Sequence, residues 1–397
     1  MPRILSIATL FPNAFLPRFG TFVARQMEAL AAREGWDVTV INPIGVPPIA
    51  AGRYKALAEA AISGVEGGVD VRRPRFTLIP AVGGPFNPAM IVKAVLPLAK
   101  RLHESTPFDL VDAQFFYPDG PAAAQIARAL DLPLSIKARG ADISHWGQQT
   151  YALKMMKAAS EAAAGILTVS AALRRDMGAI GLPENKITVH YTGLDRDLFC
   201  IGERKEQRLQ LSEQFNIQLA EDESLLSCVG ALIPRKGQEL VLRAMARLQG
   251  VHCAFVGTGP DRDALGKLAY ELDIPHRVHF LGSLDHGALP MVLGASDAMV
   301  LPSLSEGLAN AWVEALACGT PLVITDAGGA RELVTTPSAG RIVKRDSDAI
   351  ADGIVEVLQA GYDREAVAAN AARFSWEMNA AALAEYYDDL IAADSAD

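Results

Sequence analysis

The sequence predicts an α/β protein made of two doubly wound, Rossmann-like domains facing a central cleft. Three observations predict it. Short β-branched runs alternate with helical patterns along almost the whole chain, the alternation pauses once near the middle, and a second series then begins. At 397 residues, half of them apolar and 21% charged, the chain can build two cores and is too apolar for disorder.

Taken in order, Arg3–Leu10 reads as a strand, Thr21–Arg33 as a helix and Asp37–Asn42 as a strand. Leu110–Ala113, Gly120–Leu130, Leu134–Lys137, Ile166–Val169 and Ala171–Met177 repeat the pattern of strand then helix. Such units require crossover connections and give parallel sheets. This first series assigns a domain to residues 1–200. The charged segment 201–222 (IGERKEQRLQLSEQFNIQLAED) reads as linker plus a surface helix. The second series contains Leu225–Val229, a helix near Gln238–Leu248, His252–Val256, a helix near Arg262–Leu272, Val278–Leu281, Ala298–Leu301 and Pro321–Thr325. It assigns a second domain to residues 223–374. In such sheets ligands bind outside the carboxyl ends of the strands.

Composition removes several function classes. A net charge of −9 argues against a dedicated nucleic-acid binder. The charge is uneven: residues 1–195 carry 20 Lys/Arg against 16 Asp/Glu, a net +4, and residues 196–397 carry a net −13. The first half can therefore face an anionic surface or acceptor, and its dense basic cluster, Arg72, Arg73 and Arg75, is the candidate contact with an anionic membrane. The four cysteines show no CxxC pair and read as buried free thiols of a reducing compartment. Pro12 and Asn13 break the first apolar run too early for a signal peptide. The uncharged stretch Phe76–Val92 holds Pro80, Gly83, Gly84, Pro85 and Pro88, so it cannot span a bilayer. The expected location is cytoplasmic, at most peripheral on the inner face of the membrane.

The chemistry concentrates between Leu301 and Val334. Glu306-Gly307-Leu308-Ala309-Asn310 follows an apolar run and is expected to open a helix with apolar positions at Leu308, Trp312 and Leu316. First-turn N–H groups of a helix favour an anion, and a glutamate beside them suits a ligand with both hydroxyls and phosphates, which describes a nucleotide sugar. Glu314 stands eight residues after Glu306, roughly 12 Å away if the intervening residues are helical at about 1.5 Å each. Hydrolytic carboxylate pairs sit about 5–9.5 Å apart, so the spacing favours two binding roles over an acid/base pair. A Gly328-Gly329 turn follows the next strand. After Leu225–Val229 comes Gly230-Ala231-Leu232-Ile233-Pro234-Arg235-Lys236-Gly237, where Arg235 and Lys236 can neutralise a diphosphate leaving group. Gly257-Thr258-Gly259-Pro260 after His252–Val256 is a weaker signal that a simple turn explains equally well.

In order along the chain, these segments resemble the retaining GT-B glycosyltransferases of the glycosyl transferases group 1 class, family 4. The likeness includes FVGTGPDRDALGKLAYELDIPHRVHFLG, the E-x7-E region from Glu306 to Glu314, the GG-x-x-E turn ending at Glu332, and the closing FSWEMNAAALAEYY. The first half matches more loosely, through FPNAFLPRFGTFVARQMEALA, KARGADI and VHYTGLDRDLF.

The resemblance implies a first domain that binds the acceptor and a second that binds the nucleotide-sugar donor, a UDP- or GDP-sugar, with no separate cofactor. A C-terminal helix at about 375–397 would cross back to pack on the first domain. Glu314 would hold the nucleotide ribose and Glu306 the donor sugar. Gly307, Leu308, Ala309 and Asn310 would meet the distal phosphate, with Gly257 also on the donor side. Arg235 and Lys236 would stabilise the departing diphosphate, so that no metal is required. Gly20, Arg139 and Asp142 would approach acceptor or donor sugar from the first domain. The reaction would be transfer of a hexosyl group, with retained configuration, to a glycan or glycolipid hydroxyl in cell-surface polysaccharide synthesis.

Three positions depart from the family pattern. Ala231 stands where an arginine is usual, Arg139 where many members have histidine, and Thr192 where asparagine is usual. Ala231 keeps a second reading open, a catalytically weak partner subunit that binds sugar nucleotides. A GT-B epimerase or phosphorylase is a third.

Overall fold

The computed structural model describes residues 1–80 and 82–395, which form two compact units. One is Met1–Gly193 together with the C-terminal segment from Trp376; the other is Leu194–Ser375.

The first unit contains strands β1 (Arg3–Ile7), β2 (Asp37–Ile41), β3 (Ile44–Val46), β4 (Gly64–Glu66), β5 (Val69–Arg72), β6 (Arg75–Thr77), β7 (Leu110–Ala113), β8 (Leu134–Ala138), β9 (Gly165–Thr168) and β10 (Ile187–Val189). Eight of them form one sheet in the order β10-β9-β8-β7-β1-β2-β5-β4, parallel throughout except that β4 runs antiparallel to β5. β3 and β6 pair separately. β7, β8 and β9 are buried along their whole length, as parallel strands covered by helices on both faces must be.

Helix Thr21–Ala31 presents Val23, Met27 and Leu30 inward at spacings of four and three, the apolar stripe of a surface helix. These residues share a core with Val38, Val40, Trp36 and Leu110, and with Leu383, Ala384 and Tyr387 of the C-terminal helix Trp376–Asp394. Each such large side chain contributes roughly 1.5–3 kcal/mol when fully buried. The last helix is thus part of the first unit's core. Residues 396 and 397, within the expected 375–397 range, lie outside the described residues, as does Ala81 in the stretch Phe76–Val92.

The second unit contains β11 (Ser224–Val229), β12 (Val251–Val256), β13 (Val278–Gly282), β14 (Ala298–Leu301), β15 (Leu322–Thr325) and β16 (Gly340–Val343). All are parallel, in the order β13-β12-β11-β14-β15-β16, so the winding direction reverses between β11 and β14. This is the doubly wound order that leaves a crevice at the switch point. Segment 201–222 holds helix Arg204–Phe215, which is docked on this unit: Leu211 is buried, and Arg204 and Arg208 reach Asp297 at 2.9 and 2.6 Å.

Two expectations are corrected. Cys200 is exposed, so only Cys228, Cys253 and Cys318 are buried thiols. Arg73 is buried and points inward, bonded to Glu66 and to the carbonyls of Ile62 (2.6 Å) and Pro12 (2.8 Å). Arg72 is half-buried against Asp70 at 2.9 Å, so Arg75 alone of the cluster is exposed. Both terminal nitrogens of Arg73 are taken up by Glu66 and the two carbonyls, so its charge is turned away from the surface. Among the described residues no helix is long and apolar enough to cross a membrane.

Candidate active site

β11 and β14 are adjacent and parallel, so their carboxyl ends send out neighbouring loops at the switch point. The loop after β11 reaches a single tight turn, Pro234–Lys236, and ends at Gly237 with φ 77°. Proline fixes the first φ of that turn and glycine permits the left-handed exit, so Arg235 and Lys236 sit on a short, constrained segment. The loop after β14 carries Ser303 to Ala309.

The two loops are joined along their length. The Leu304 N–H donates to the Arg235 carbonyl at 2.8 Å, and Arg235 Nη1 donates to the Ser305 carbonyl at 2.5 Å. Lys236 Nζ meets Glu306 Oε1 at 2.5 Å, while Arg235 Nη1 lies 3.6 Å from Oε2 of the same carboxylate. The β15 side closes the third edge: Thr325 Oγ1 donates to Ser303 O at 2.5 Å, and the Gly329 N–H to Gly307 O at 2.8 Å.

Glu306 and Glu314 do not share a helix, which corrects the expectation from sequence. The helix is Asn310–Ala317 with Ala309 as its N-cap, and Glu306, Gly307 and Leu308 precede it as loop. The helical estimate of their separation therefore does not apply. Loop-to-loop hydrogen bonds hold this backbone, so a pattern of apolar spacing could not reveal its conformation. Gly328 (φ 53°) packs directly on it: a Cβ there would lie 2.6 Å from the Gly307 carbonyl oxygen and closer still to that of Glu306.

Glu314 lies in the second turn of that helix and is only 7% exposed. Burial, with no donor or cation to offset it, pushes its carboxyl up to about 7. Glu306 is met by two cations; among the described residues none meets Glu314. At the start of the same helix the N-cap, Ala309, has no side-chain group to cap the first N–H groups and no acid stands in the first turn among the described residues, which leaves a partial positive charge for an anion. Gly257 (φ 139°) has a packing reason of its own. It sits against the Gly230 backbone, and its N–H donates to Gly282 O at 2.7 Å. Among the described residues no group of three or more His, Cys, Asp or Glu is arranged to hold a metal ion.

In the first unit, Gly20 (φ 75°) starts helix Thr21–Ala31, where a Cβ would collide with the Leu10 and Phe11 backbone. The Arg139 guanidinium lies 4.9 Å over the Phe22 ring, its Nε donates to Gln114 O at 2.8 Å, and Nη2 meets Gln26 Oε1 at 3.3 Å. Asp142 is buried, and its carboxylate accepts the backbone N–H groups of Phe116, Arg139 and Gly140 at 2.7–3.1 Å. It holds the turn that presents Arg139 instead of facing outward.

Sequence reasoning missed the neighbouring buried network. Lys137 Nζ bonds to Gln26 Oε1 at 2.9 Å and to His190 Nδ1 at 2.5 Å, and His190 Nε2 bonds to Asn379 O at 2.9 Å. The Asn379 carbonyl can only accept, so the proton of the neutral ring sits on Nε2 and Nδ1 accepts from Lys137 Nζ. Burial lowers the pKa of both Lys137 and His190. These residues stand inside apolar strand patterns or far apart in sequence, and no local signal marks them.

Comparison with known proteins follows the same division. The model of glycosyl transferases group 1 matches residues 210–374, and that of glycosyltransferase family 4 matches residues 20–198. An uncharacterized glycosyltransferase of Methanocaldococcus jannaschii is 32% identical over 222 residues, covering 53% of this chain and 56% of that protein. The D-inositol 3-phosphate glycosyltransferase of Mycobacterium tuberculosis strain H37Ra is 36% identical over 221 residues, 52% of this chain and 44% of the relative. The chain thus spans about half the length of the curated relatives it matches. Among solved structures, sucrose-phosphate synthase of Thermosynechococcus elongatus has a TM-score of 0.78 at 21% identity, covering 99% of this chain and all of the other. Anabaena HepE, solved with UDP-glucose, has a TM-score of 0.73 at 21% identity, over 98% of this chain and all of HepE. The fold is GT-B, and with the two family models together spanning most of its length, the chain belongs to the glycosyltransferases of group 1 and family 4.

Proposed function

We propose that this protein moves a hexosyl group from a nucleotide-sugar donor to a hydroxyl of a glycan or glycolipid acceptor, with retained configuration, in the synthesis of a cell-surface polysaccharide. The observation that carries the donor part is the switch point of the second unit. There Arg235 and Lys236 converge on Glu306, and a buried carboxyl, Glu314, with no cation beside it among the described residues, follows on the next helix.

A buried carboxyl with no donor is costly unless a ligand supplies hydroxyls, and a ribose 2′/3′ pair does so. The uncapped first turn from Asn310, with the backbone of Gly307, Leu308 and Ala309, suits the distal phosphate. Arg235 and Lys236 take the charge that develops on the diphosphate as the glycosidic bond breaks, so the reaction needs no metal. Glu306 orients the donor sugar once the diphosphate has drawn the two cations from it. On the first unit Gly20, with its uncapped helix start, and Arg139 contribute to acceptor or donor-sugar binding. Asp142 serves by holding Arg139. The HepE complexes with UDP and UDP-glucose favour UDP over GDP as the base-bearing group. Exposed Arg75 remains as a contact for an anionic inner-membrane surface, consistent with a cytoplasmic, peripheral enzyme.

Thermal shift with UDP, GDP and ADP tests the reading, since a ligand held at a hundred times its Kd stabilises by about 2.7 kcal/mol. One of the three should raise the melting temperature, and Glu314→Ala should abolish that rise. No shift with any of them, together with an unchanged E314A, would refute it. Ala231 supports a second reading, a partner subunit that binds donor without turnover; donor binding without transfer in a membrane extract would favour it.

A further inference from the structure

The turn carrying Arg235 and Lys236 and the loop carrying Glu306 are reached by one further side chain, Arg345, in the segment after β16. Its Nε donates to the Pro302 carbonyl at 3.0 Å, and its Nη2 donates to the Pro234 carbonyl at 3.1 Å. Pro302 opens the loop that leads to Glu306, and Pro234 opens the turn that bears the two cations. The Pro302 carbonyl is also pressed against Gly237 at the far end of that turn, where a Cβ would come within 2.5 Å of it and 3.3 Å of Arg345 Nη2. Guanidinium, carbonyl and glycine therefore meet at one point behind the candidate active site.

We infer that Arg345 is a positioning residue: its planar fork fixes the spacing between the Lys236 turn and the Glu306 loop. The consequence for chemistry rests on the glycosyl-transfer reading above, whereas the clamp is a property of the unliganded chain. Arg235 and Lys236 can stabilise a departing diphosphate only if they are held where its charge develops, with no rearrangement at that moment. The Leu304 N–H to Arg235 carbonyl bond and the Arg235 bond to Ser305 O already link the loops from within. Arg345 links them from outside, through the residue that begins each. A guanidinium holds donors on separate nitrogens at a fixed spacing in one plane, and an ammonium carries all its donors on one nitrogen, so lysine does not match the Nε and Nη2 positions that meet the two carbonyls.

The experiment compares wild type, Arg345→Ala and Arg345→Lys as full-length protein. Backbone hydrogen exchange without ligand should quicken about fivefold or more at 233–237 and 302–306 in both variants, with β11 and β14 unchanged. With UDP-glucose as donor, kcat should fall about fivefold or more, with KM within about twofold of wild type, since the contact acts on the transition state. Unchanged exchange in the two loops overturns the clamp. Loosened loops with unchanged kcat overturn its role in positioning, and full restoration by lysine overturns the fork. Should the wild type neither bind nor turn over any UDP-, GDP- or ADP-sugar, the glycosyl-transfer reading falls, and the exchange comparison alone decides the clamp.

Discussion

The ammonium of Lys236 lies 2.5 Å from one oxygen of Glu306, and Arg235 stands 3.6 Å from the other. Without ligand the carboxylate occupies the charge that a diphosphate would take. It keeps both cations converged on one point and competes with the phosphate for them. Glu306→Gln should therefore tighten UDP binding, by about fivefold if the ion pair is worth about 1 kcal/mol. Transfer should fall at least about tenfold, because the donor sugar loses its contact. Calorimetry with UDP and a turnover assay measure the two effects. Weaker UDP binding by E306Q would show that the carboxylate helps to hold the nucleotide instead of competing with it.

Glu314 gives the site a pH signature. Its carboxyl is raised from 4.5 to about 7 by burial, so the folded protein holds a proton that the unfolded chain has lost. The stability this provides is complete below about 4.5 and is lost as pH rises to about 7, on the order of 3 kcal/mol. Glu314→Gln removes that dependence. Its melting temperature should match wild type near pH 4 and exceed it increasingly as pH rises to about 7. Ribose hydroxyls donate to the ionised form, so nucleotide binding at pH 6.5 should expel a proton. Calorimetry in buffers of different ionisation enthalpy would record it, and identical heats in all buffers would exclude it.

Gly328 tests whether the Glu306 loop must be where it is. Its φ of 53° and its contact with the Glu306 and Gly307 carbonyls leave no room for a methyl group. Gly328→Ala should lose roughly 1–3 kcal/mol and push the Glu306 backbone away. The melting temperature should drop by several degrees, and turnover should fall more than UDP binding does. An alanine variant as stable and active as wild type would mean that the loop adapts freely.

Strands β1, β2, β7, β8, β9 and β11 to β15 were legible because short, β-branched and mostly apolar segments alternate there with helical patterns. The identities at the switch point were legible too, since Arg235, Lys236 and Glu306 each follow such a strand. Their mutual geometry was not. The conformation of 302–309 depends on Arg235, Thr325, Gly328, Gly329 and Arg345, up to 70 residues away in sequence. Helical spacing assumed for Glu306 consequently failed while Glu314, inside a regular helix, was placed correctly. Lys137, inside β8, and His190, just after β10, illustrate the same limit, meeting across 53 residues.

The inward turn of Arg73 separates stability from surface contact within one basic cluster. Arg73→Ser takes the donor from the partly buried carbonyls of Ile62 and Pro12 and empties the buried place of the guanidinium, which should cost roughly 1–3 kcal/mol. Arg75→Ser should leave the melting temperature within a degree or two. If the first unit touches an anionic bilayer through this cluster, R75S should reduce flotation with anionic liposomes at low salt, because about 1 kcal/mol of attraction is lost per basic residue. No flotation of the wild type at low salt would end the proposal for membrane contact.

Ala231 is exposed at the carboxyl end of β11, two residues from Val229 and beside the turn that bears the cations. Its carbonyl is engaged by the Ile233 N–H at 3.0 Å and by Gln238 Nε2 at 2.9 Å, so the backbone there is fixed while the side chain is free to grow. Ala231→Arg should therefore fold normally and add a charge-assisted contact to a bound diphosphate, worth about 1.5–3 kcal/mol if made fully. Affinity for UDP should rise roughly tenfold or more. Turnover distinguishes the readings of this chain. If wild type already transfers sugar and A231R changes kcat less than about threefold, Arg235 and Lys236 suffice at the phosphate end. If wild type binds donor without transfer and A231R transfers, the native alanine marks a binding partner whose catalytic charge has been removed.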